Sequence, residues 1–137
     1  MSVLALKLTS LQRCVARARD IRRLAGAQFR IEQNLQDAAV LNVIRACETA
    51  IDLASMIVRA RALGIPTESR EAFAILEREA LITTPLSLSL RAMVGFRNLV
   101  VRQYRDVNID VVESVIDRDL DDLLVFGELC GKLLHSI

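Results

Sequence analysis

Apolar residues recur every three or four positions through most of the chain, which is the period of an α-helix buried along one face. The longest such stripe consists of Val40, Ile44, Cys47, Ile51, Ala54 and Val58. Only 5 Gly and 2 Pro interrupt the 137 residues, and only 4% of the residues are aromatic. So few helix breakers and aromatic residues argue against an all-β sandwich. We therefore expect an all-α fold.

The ends of the helices are predicted from caps and breakers. Helices are expected over residues 4–24, 34–63, 69–79, 84–104 and 109–134, the second of them capped by Asn34. Gly26 and Gly64 are the expected stops of the first two helices, Thr84-Pro85 the start of the fourth, and Asn108 the cap of the fifth. Short connectors between helices predict an antiparallel bundle of four or five helices, and a chain of this length predicts a single domain over residues 1–137.

Composition excludes several classes of function. The net charge of +1 gives no overall field that would attract nucleic acid, so any basic surface must be local. Cys14, Cys47 and Cys130 form no C-x-x-C pair, and we expect buried, reduced thiols. The only histidine, His135, is expected on the surface near the end of the chain, so no metal site or cofactor is predicted. With no signal peptide and no apolar run long enough to span a bilayer, we expect a soluble cytoplasmic protein that does not contact the membrane.

Charge is segregated along the chain. The first helix is basic through Arg13, Arg17, Arg19, Arg22 and Arg23. The last helix and its lead-in are acidic through Asp106, Asp110, Glu113, Asp117, Asp119, Asp121, Asp122 and Glu128. We expect a solvated acidic face that lies beside the basic first helix.

Residues 91–105 carry the chemistry that is least expected in a nearly neutral chain. This stretch contains Arg91, Arg97, Arg102, Arg105 and Tyr104, and it contains no acid. A guanidinium group offers a planar fork of donors that matches phosphate oxygens, and a tyrosine ring can stack on a base. The stretch therefore indicates a phosphate-bearing ligand. The alternative is an arginine-rich helix that pairs with the acidic last helix.

Helix geometry adds a constraint on this stretch. At 3.6 residues per turn, Arg97 and Tyr104 lie within about 20° of each other, whereas position 102 lies about 140° from Arg97. One regular helix cannot point all three side chains at one phosphate. Either the helix unwinds near residue 102, or two copies of the chain face each other and share a basic cleft. The second arrangement predicts a homodimer.

The segment 93–104, Met-Val-Gly-Phe-Arg-Asn-Leu-Val-Val-Arg-Gln-Tyr, resembles the signature of HepT-type HEPN-domain toxins. That signature is an arginine, a polar residue, three to five further residues and then a histidine, often followed by x-Tyr. Segments 35–52, 69–73 and 109–126 are also similar to the corresponding parts of that family, so the resemblance covers nearly the whole chain.

The resemblance implies a dimeric all-α bundle that cleaves RNA without a metal ion. Arg97 would hold the scissile phosphate and Asn98 would orient the site. The arginine-rich composition of residues 91–105, apart from the resemblance, makes Arg91 and Arg105 further candidate phosphate-binding residues. The implied partner is a nucleotidyltransferase antitoxin of the MNT type, MntA, which transfers AMP units onto the motif tyrosine, here Tyr104. The anionic adduct would fill the positive cleft and exclude RNA.

Position 102 departs from the family pattern, because Arg102 stands where the family has histidine. A guanidinium group stays protonated and cannot act as a base, although it can bind phosphate and stabilise charge. Loss of a general acid–base costs about 10²–10⁴-fold in rate. We therefore predict a chain that binds RNA or nucleotide phosphate but cleaves little or nothing.

Two origins for Arg102 stay open: a naturally silenced copy, or a change that let a toxic gene be propagated. We favour the second, because the rest of the motif is intact. Three functions also stay open. They are a HEPN ribonuclease toxin, a non-catalytic HEPN dimer that binds RNA, nucleotide or the antitoxin, and a helical interaction protein.

Overall fold

The computed structural model describes residues 2–134, and these residues fold into six α-helices joined by short turns. The helices are α1 (Val3–Ala25), α2 (Gln33–Ala60), α3 (Ser69–Arg78), α4 (Thr84–Gln103), α5 (Ile109–Ser114) and α6 (Leu120–Leu134). Short 3₁₀ turns cover Gly26–Arg30 and Tyr104–Asp106, and a π turn over Val115–Asp119 joins α5 to α6 without a break. The described part of the chain contains helices and no strand, which confirms the predicted all-α fold. His135, predicted to lie on the surface, is outside the described residues.

Several of the predicted helix ends are confirmed and two caps are corrected. Gly26 ends α1 with a φ of 54°, and the Asn108 side chain caps α5 by accepting from the Asp110 amide at 2.7 Å. Helix α2 begins one residue before Asn34, so Asn34 lies inside the first turn and is not the cap. Thr83, not Thr84, caps α4, because the Thr83 hydroxyl accepts from the Leu86 amide at 3.3 Å. Two consecutive threonines can both serve as caps, and the sequence pattern does not choose between them.

The predicted stop at Gly64 is wrong, because α2 ends at Ala60 and the chain turns at Ala62. Ala62 has a φ of 52°, its amide donates to Arg59 at 3.2 Å, and the Leu63 amide donates to Val58 at 2.9 Å. This pair of hydrogen bonds is the Schellman motif, whose left-handed position is usually a glycine. Helix α3 ends in the same motif, with Ala80 at a φ of 59°.

The long helices run up, down, up and down. Lys7 near the start of α1 pairs with Asp52 in the second half of α2 at 3.1 Å, and Tyr104 directly after α4 contacts Asp37 near the start of α2. Each contact joins the early part of one helix to the late part of its neighbour, as antiparallel packing requires. The short helix α3 packs on both α2 and α4. The antiparallel bundle predicted from the connectors is confirmed.

The core is mainly aliphatic, with four buried phenylalanines, Phe29, Phe73, Phe96 and Phe126. The rings of Phe73 and Phe126 meet edge to face with centroids 5.4 Å apart. Phe29 is fully buried, and the Arg22 guanidinium lies 5.4 Å from the centroid of its ring. Burying a side chain of this size stabilises a fold by about 1.5–3 kcal/mol. Gly127 lets α6 approach α1, since a Cβ atom there would lie 2.9 Å from Leu11.

The acidic last helix lies beside the basic first helix, as predicted. Arg19 pairs with Asp121 at 2.6 Å, and Arg22 pairs with Asp117 at 3.2 Å. The buried carboxylate of Glu113 accepts from Arg22 at 3.1 Å and from Arg30 at 2.6 Å. These ion pairs hold the 3₁₀ turn and α1 against α5 and the π turn. No helix within residues 2–134 is long and apolar enough to cross a membrane.

Candidate functional site

A cleft of about 570 Å³ opens between the N-terminal end of α3 and the second half of α4. We call it the arginine cleft, and its lining residues are Glu68, Ser69, Arg70, Val94, Gly95, Arg97, Asn98, Leu99, Arg102 and Gln103. Three of the predicted site residues, Arg97, Asn98 and Arg102, therefore lie on one wall of one cleft. A single chain brings them together, so the predicted dimer is not needed to do so.

Arg97 is held in place by its neighbours. Its Nη1 donates to Asn98 Oδ1 at 2.9 Å, and its Nη2 lies 3.4 Å from Glu48 Oε1 on α2. The buried Nε of Arg97 has no hydrogen-bond partner in the described structure. Beneath this pair, burial raises the pKa of the Cys47 thiol to about 12, and the nearby Arg97 charge opposes that rise. Asn98 therefore fixes the orientation of the Arg97 guanidinium, which keeps donor atoms free for a ligand.

Arg70 is the cleft residue that the motif does not reveal. A Cβ atom at Gly95 would lie 3.1 Å from Arg70 Nη2, so the guanidinium rests on the bare backbone of α4. Neither Arg70 nor Arg102 forms an ion pair with any residue of the described chain. A glycine in the middle of a helix costs about 0.5–1 kcal/mol relative to alanine, and it often marks a close approach of this kind. Gly95 is the one feature of the sequence that could have indicated a close approach to α4, although it does not identify Arg70 as the neighbour.

The segment that carries Arg70 is anchored at the start of α3. The Thr67 amide donates to Glu71 Oε2 at 2.8 Å, and the Thr67 hydroxyl donates to the same oxygen at 2.5 Å. The hydroxyl of Thr67, with help from its amide, lowers the pKa of Glu71 below its ordinary value. Glu71 is therefore ionised at neutral pH and closes the first turn of the helix beneath Arg70.

Two of the predicted phosphate-binding residues lie outside the arginine cleft. Arg91 donates to Glu77 of α3 at 2.9 Å and links α3 to α4. Arg105 lines a different pocket. The alternative that the arginines of residues 91–105 pair with the acidic last helix is wrong. Within residues 2–134, Arg91 pairs with Glu77 of α3 and Arg97 pairs with Glu48 of α2.

Tyr104 lies directly after α4, at the start of the 3₁₀ turn. Gln103, the last residue of α4, has a φ of −141° and a ψ of 53°, which ends the helix and starts that turn. Of the two arrangements predicted from helix geometry, the structure shows unwinding, one residue past Arg102. Arg97 and Tyr104 both contact α2, at Glu48 and at Asp37, but they line different pockets.

Tyr104 instead lines a second pocket of about 310 Å³ between the start of α2 and the start of α5. We call it the tyrosine pocket, and it is lined by Gln33, Gln36, Asp37, Val40, Tyr104, Arg105, Val107, Ile109 and Val112. The Tyr104 hydroxyl donates to Asp37 Oδ1, and Gln33 Nε2 donates to the same Asp37 oxygen at 2.8 Å. Tyr104 is 38% exposed, so the residue is partly accessible from outside the bundle. Sequence reasoning missed Asp37 and Gln33, because they precede Tyr104 by about seventy residues.

The arrangement can bind anions, and among residues 2–134 it places no imidazole beside the arginines. Guanidinium groups bind phosphate oxygens and stabilise developing charge, but they do not take up protons. Within residues 2–134, no group of three or more His, Cys, Asp or Glu side chains could hold a metal ion.

Fold and cleft together define a class: a helical bundle with an arginine-lined cleft on its fourth helix. The family described as Ribonuclease HepT-like matches residues 11–129, so the chain belongs to that family. The mRNA nuclease HepT of Shewanella oneidensis is 41% identical over 120 residues, which are 88% of this chain and 90% of the relative.

Two similar solved structures come from toxin–antitoxin complexes. One is the tri-AMPylated HEPN toxin of Shewanella oneidensis in complex with MNT antitoxin. It superposes with a TM-score of 0.90 at 37% identity and covers 96% of this chain and 99% of that one. The other is a toxin–antitoxin complex with AMP-PNP, with a TM-score of 0.88 at 37% identity over 95% of this chain and 99% of that one.

Proposed function

We propose that this chain is the toxin of a HEPN/MNT toxin–antitoxin pair in the cytoplasm and that its arginine cleft binds RNA. The carrying observation is the grouping of Arg97, Asn98 and Arg102 on one wall of an open cleft that also contains Arg70. The relatives named as an mRNA nuclease and as a HEPN toxin support the choice of RNA over other phosphate ligands.

In this proposal Arg97 contacts the scissile phosphate and stabilises the charge that develops on it. Asn98 orients Arg97 through the hydrogen bond of 2.9 Å between them. Arg102 and Arg70 have no acidic partner among the described residues, so they can neutralise neighbouring phosphates. Binding is then electrostatic and weakens as salt rises.

Cleavage by this chain is weak or absent. Attack by a ribose 2′-hydroxyl needs a group that accepts a proton near neutral pH, and imidazole is the side chain suited to this. Arg102 occupies the position where the family has histidine, and the only histidine of the chain is His135. The chain therefore keeps the binding half of the ribonuclease site and lacks its proton-transfer half.

Control by an antitoxin is the second part of the proposal. A nucleotidyltransferase of the MNT type transfers AMP to Tyr104, which is partly exposed on the surface of the bundle. The tri-AMPylated state of the Shewanella oneidensis toxin supports this assignment. Tyr104 begins the turn that leads out of α4 and is bonded to Gln103, which lines the arginine cleft, so an anionic adduct on Tyr104 can extend toward that end of the cleft. A homodimer would bring the arginine clefts of two chains near each other. Sedimentation of the purified chain tests whether the homodimer forms.

The substitution Arg102→His tests the catalytic part. We expect metal-independent RNA cleavage in EDTA to rise by about 10²–10⁴-fold over the original chain, because a general acid–base is restored. Arg102→Gln is the matched control, since it removes the charge without supplying a base and should stay inactive. A folded Arg102→His chain with no more activity than Arg102→Gln would show that residue 102 is not part of a ribonuclease site.

The alternative is a non-catalytic HEPN dimer that holds RNA, nucleotide or the antitoxin. Arg102 itself favours this function for the chain as it stands. Expression in a bacterial host separates the two. Growth arrest with Arg102→His, but not with the double variant Arg97→Ala/Arg102→His, identifies a ribonuclease toxin. Unchanged growth with both identifies the binding module.

A further inference from the structure

The tyrosine pocket contains a carboxylate whose contacts point to a chemical role. Asp37 lies in the second turn of α2 and forms no ion pair with any cation of the described chain. It accepts instead from two neutral donors, the Tyr104 hydroxyl and the Gln33 amide. A carboxylate that only had to stabilise the fold would gain more from a cation, and Arg105 lines the same pocket without pairing with it.

We propose that Asp37 is the base that removes the Tyr104 proton when this tyrosine is modified by a nucleotidyl transfer. This inference rests on the proposed function, which makes Tyr104 the acceptor of AMP. It identifies a catalytic group on the acceptor chain itself, so part of the machinery for the modification belongs to the toxin.

The reaction balances with ATP as the donor. Tyr104 Oη attacks the α-phosphorus of ATP and forms the new O–P bond. The bond between that phosphorus and the oxygen bridging to the β-phosphate breaks, and pyrophosphate leaves with the electron pair. The phenolic proton passes to Asp37 Oδ1 along the existing hydrogen bond and then to solvent. Nothing is oxidised or reduced.

The geometry explains why a local base is useful. A phenol is protonated at neutral pH, since its ordinary pKa is about 10, and the neutral oxygen is a poor nucleophile. A carboxylate already bonded to the proton can take it as the O–P bond forms, without needing free phenolate. Gln33 Nε2 lies 2.8 Å from the Asp37 oxygen and 3.5 Å from the Tyr104 oxygen, so it holds the pair in register. The charged side chains that line this pocket are Asp37 and Arg105.

The direct test is Asp37→Asn, with the full chain, ATP, Mg²⁺ and the MNT-type nucleotidyltransferase that the proposed function assigns to it as partner. Intact mass spectrometry gives the initial rate of AMP addition from pH 6 to 10. We expect the Asp37→Asn rate at pH 7 to fall by about 10²–10⁴-fold, mainly in kcat. We also expect the gap to close as the pH approaches about 10, where the phenol ionises without help. Gln33→Ala, which removes a positioning contact but no base, should lose far less and keep the original pH profile.

The outcomes distinguish this inference from the proposed function. No AMP on the original chain, or AMP that persists in Tyr104→Phe, overturns the proposed function and this inference with it. AMP on Tyr104 with equal rates for the original chain and Asp37→Asn overturns only the role of Asp37. A rate gap that is the same at every pH overturns it too, because a purely structural defect does not depend on ionisation of the phenol.

A second measurement is independent of the transferase. The chain has 1 Tyr and no Trp, so ultraviolet absorbance reports the ionisation of Tyr104 alone. A hydrogen bond to a carboxylate favours the neutral phenol, so Asp37→Asn should move the ionisation midpoint of Tyr104 to lower pH. An unmoved midpoint would mean that the contact between Asp37 and Tyr104 does not form in solution, and the inference would fail.

Discussion

The size of the contribution of Arg70 to RNA binding can be calculated from the number of cations that line the arginine cleft. Three guanidinium groups line it, those of Arg70, Arg97 and Arg102. If each neutralises one phosphate of a single strand, the logarithm of the binding constant falls with the logarithm of salt at a slope of about −2.1, since each contact contributes about −0.7.

The perturbation is Arg70→Ala. It should reduce the slope to about −1.4, because one phosphate contact is lost. The binding constant is then multiplied by the molar salt concentration raised to the power of about 0.7, which means binding about fivefold weaker at 0.1 M salt. The two binding curves should converge as salt approaches 1 M. The assay is fluorescence anisotropy of a labelled single-stranded RNA across a series of KCl concentrations.

Two further variants separate charge from position. Arg23→Ala removes the same charge from α1, where Arg23 pairs with Asp20 at 2.8 Å, and should leave the slope unchanged. Gly95→Ala keeps the charge of Arg70 but puts a methyl group 3.1 Å from its Nη2, so binding should weaken while the slope stays near −2.1. If Arg70→Ala behaves like Arg23→Ala, the arginine cleft is not the RNA site.

The remaining predictions concern the fold. Ala62→Gly and Ala80→Gly should each raise the free energy of unfolding by about 1 kcal/mol in urea titrations, because both alanines occupy left-handed positions. The control Ala38→Gly, inside α2, should lower the free energy of unfolding by a similar amount. A loss of stability at Ala62 or Ala80 would contradict the positive φ angles. The thiols of Cys47 and Cys130 should resist iodoacetamide at pH 8 in the folded chain and react after unfolding, because burial raises the pKa of each to about 12. Rapid labelling of the folded chain would show that these helices open.

The helices could be predicted from the sequence, but some of their ends could not. The bundle follows from apolar spacing, and Asn108 and Gly26 act locally, so both were found. Ala62 ends a helix in a conformation that glycine usually takes, and no pattern in the neighbouring residues predicts it. The sequence instead predicts the end of the helix at Gly64, the nearest residue that normally takes this conformation.

The candidate site divides in the same way. Arg97, Asn98 and Arg102 share one helix, so a local motif was enough to group them. Arg70 lies near them only because α3 packs on α4. Arg70 and Arg97 are far apart in the sequence, so no local motif predicts that they share a cleft. The pocket that Tyr104 lines is not predicted for a related reason, because a helical angle does not extend past Gln103, where α4 ends, and the partners of Tyr104 lie on α2.

The distribution of acids explains how a nearly neutral chain keeps a positive cleft. The sequence carries 18 Lys and Arg against 17 Asp and Glu, so free arginines require that acids be committed elsewhere. Asp121, Asp117 and Glu113 of the last helical segment are taken by arginines of α1 and the 3₁₀ turn that follows it. Because those pairs form where the last helix meets α1, the carboxylates of Asp121, Asp117 and Glu113 are not available to the arginines of α4. The segregation of charge in the sequence thus serves the site indirectly, since it holds the bundle together with the carboxylates that would otherwise cancel the arginine cleft.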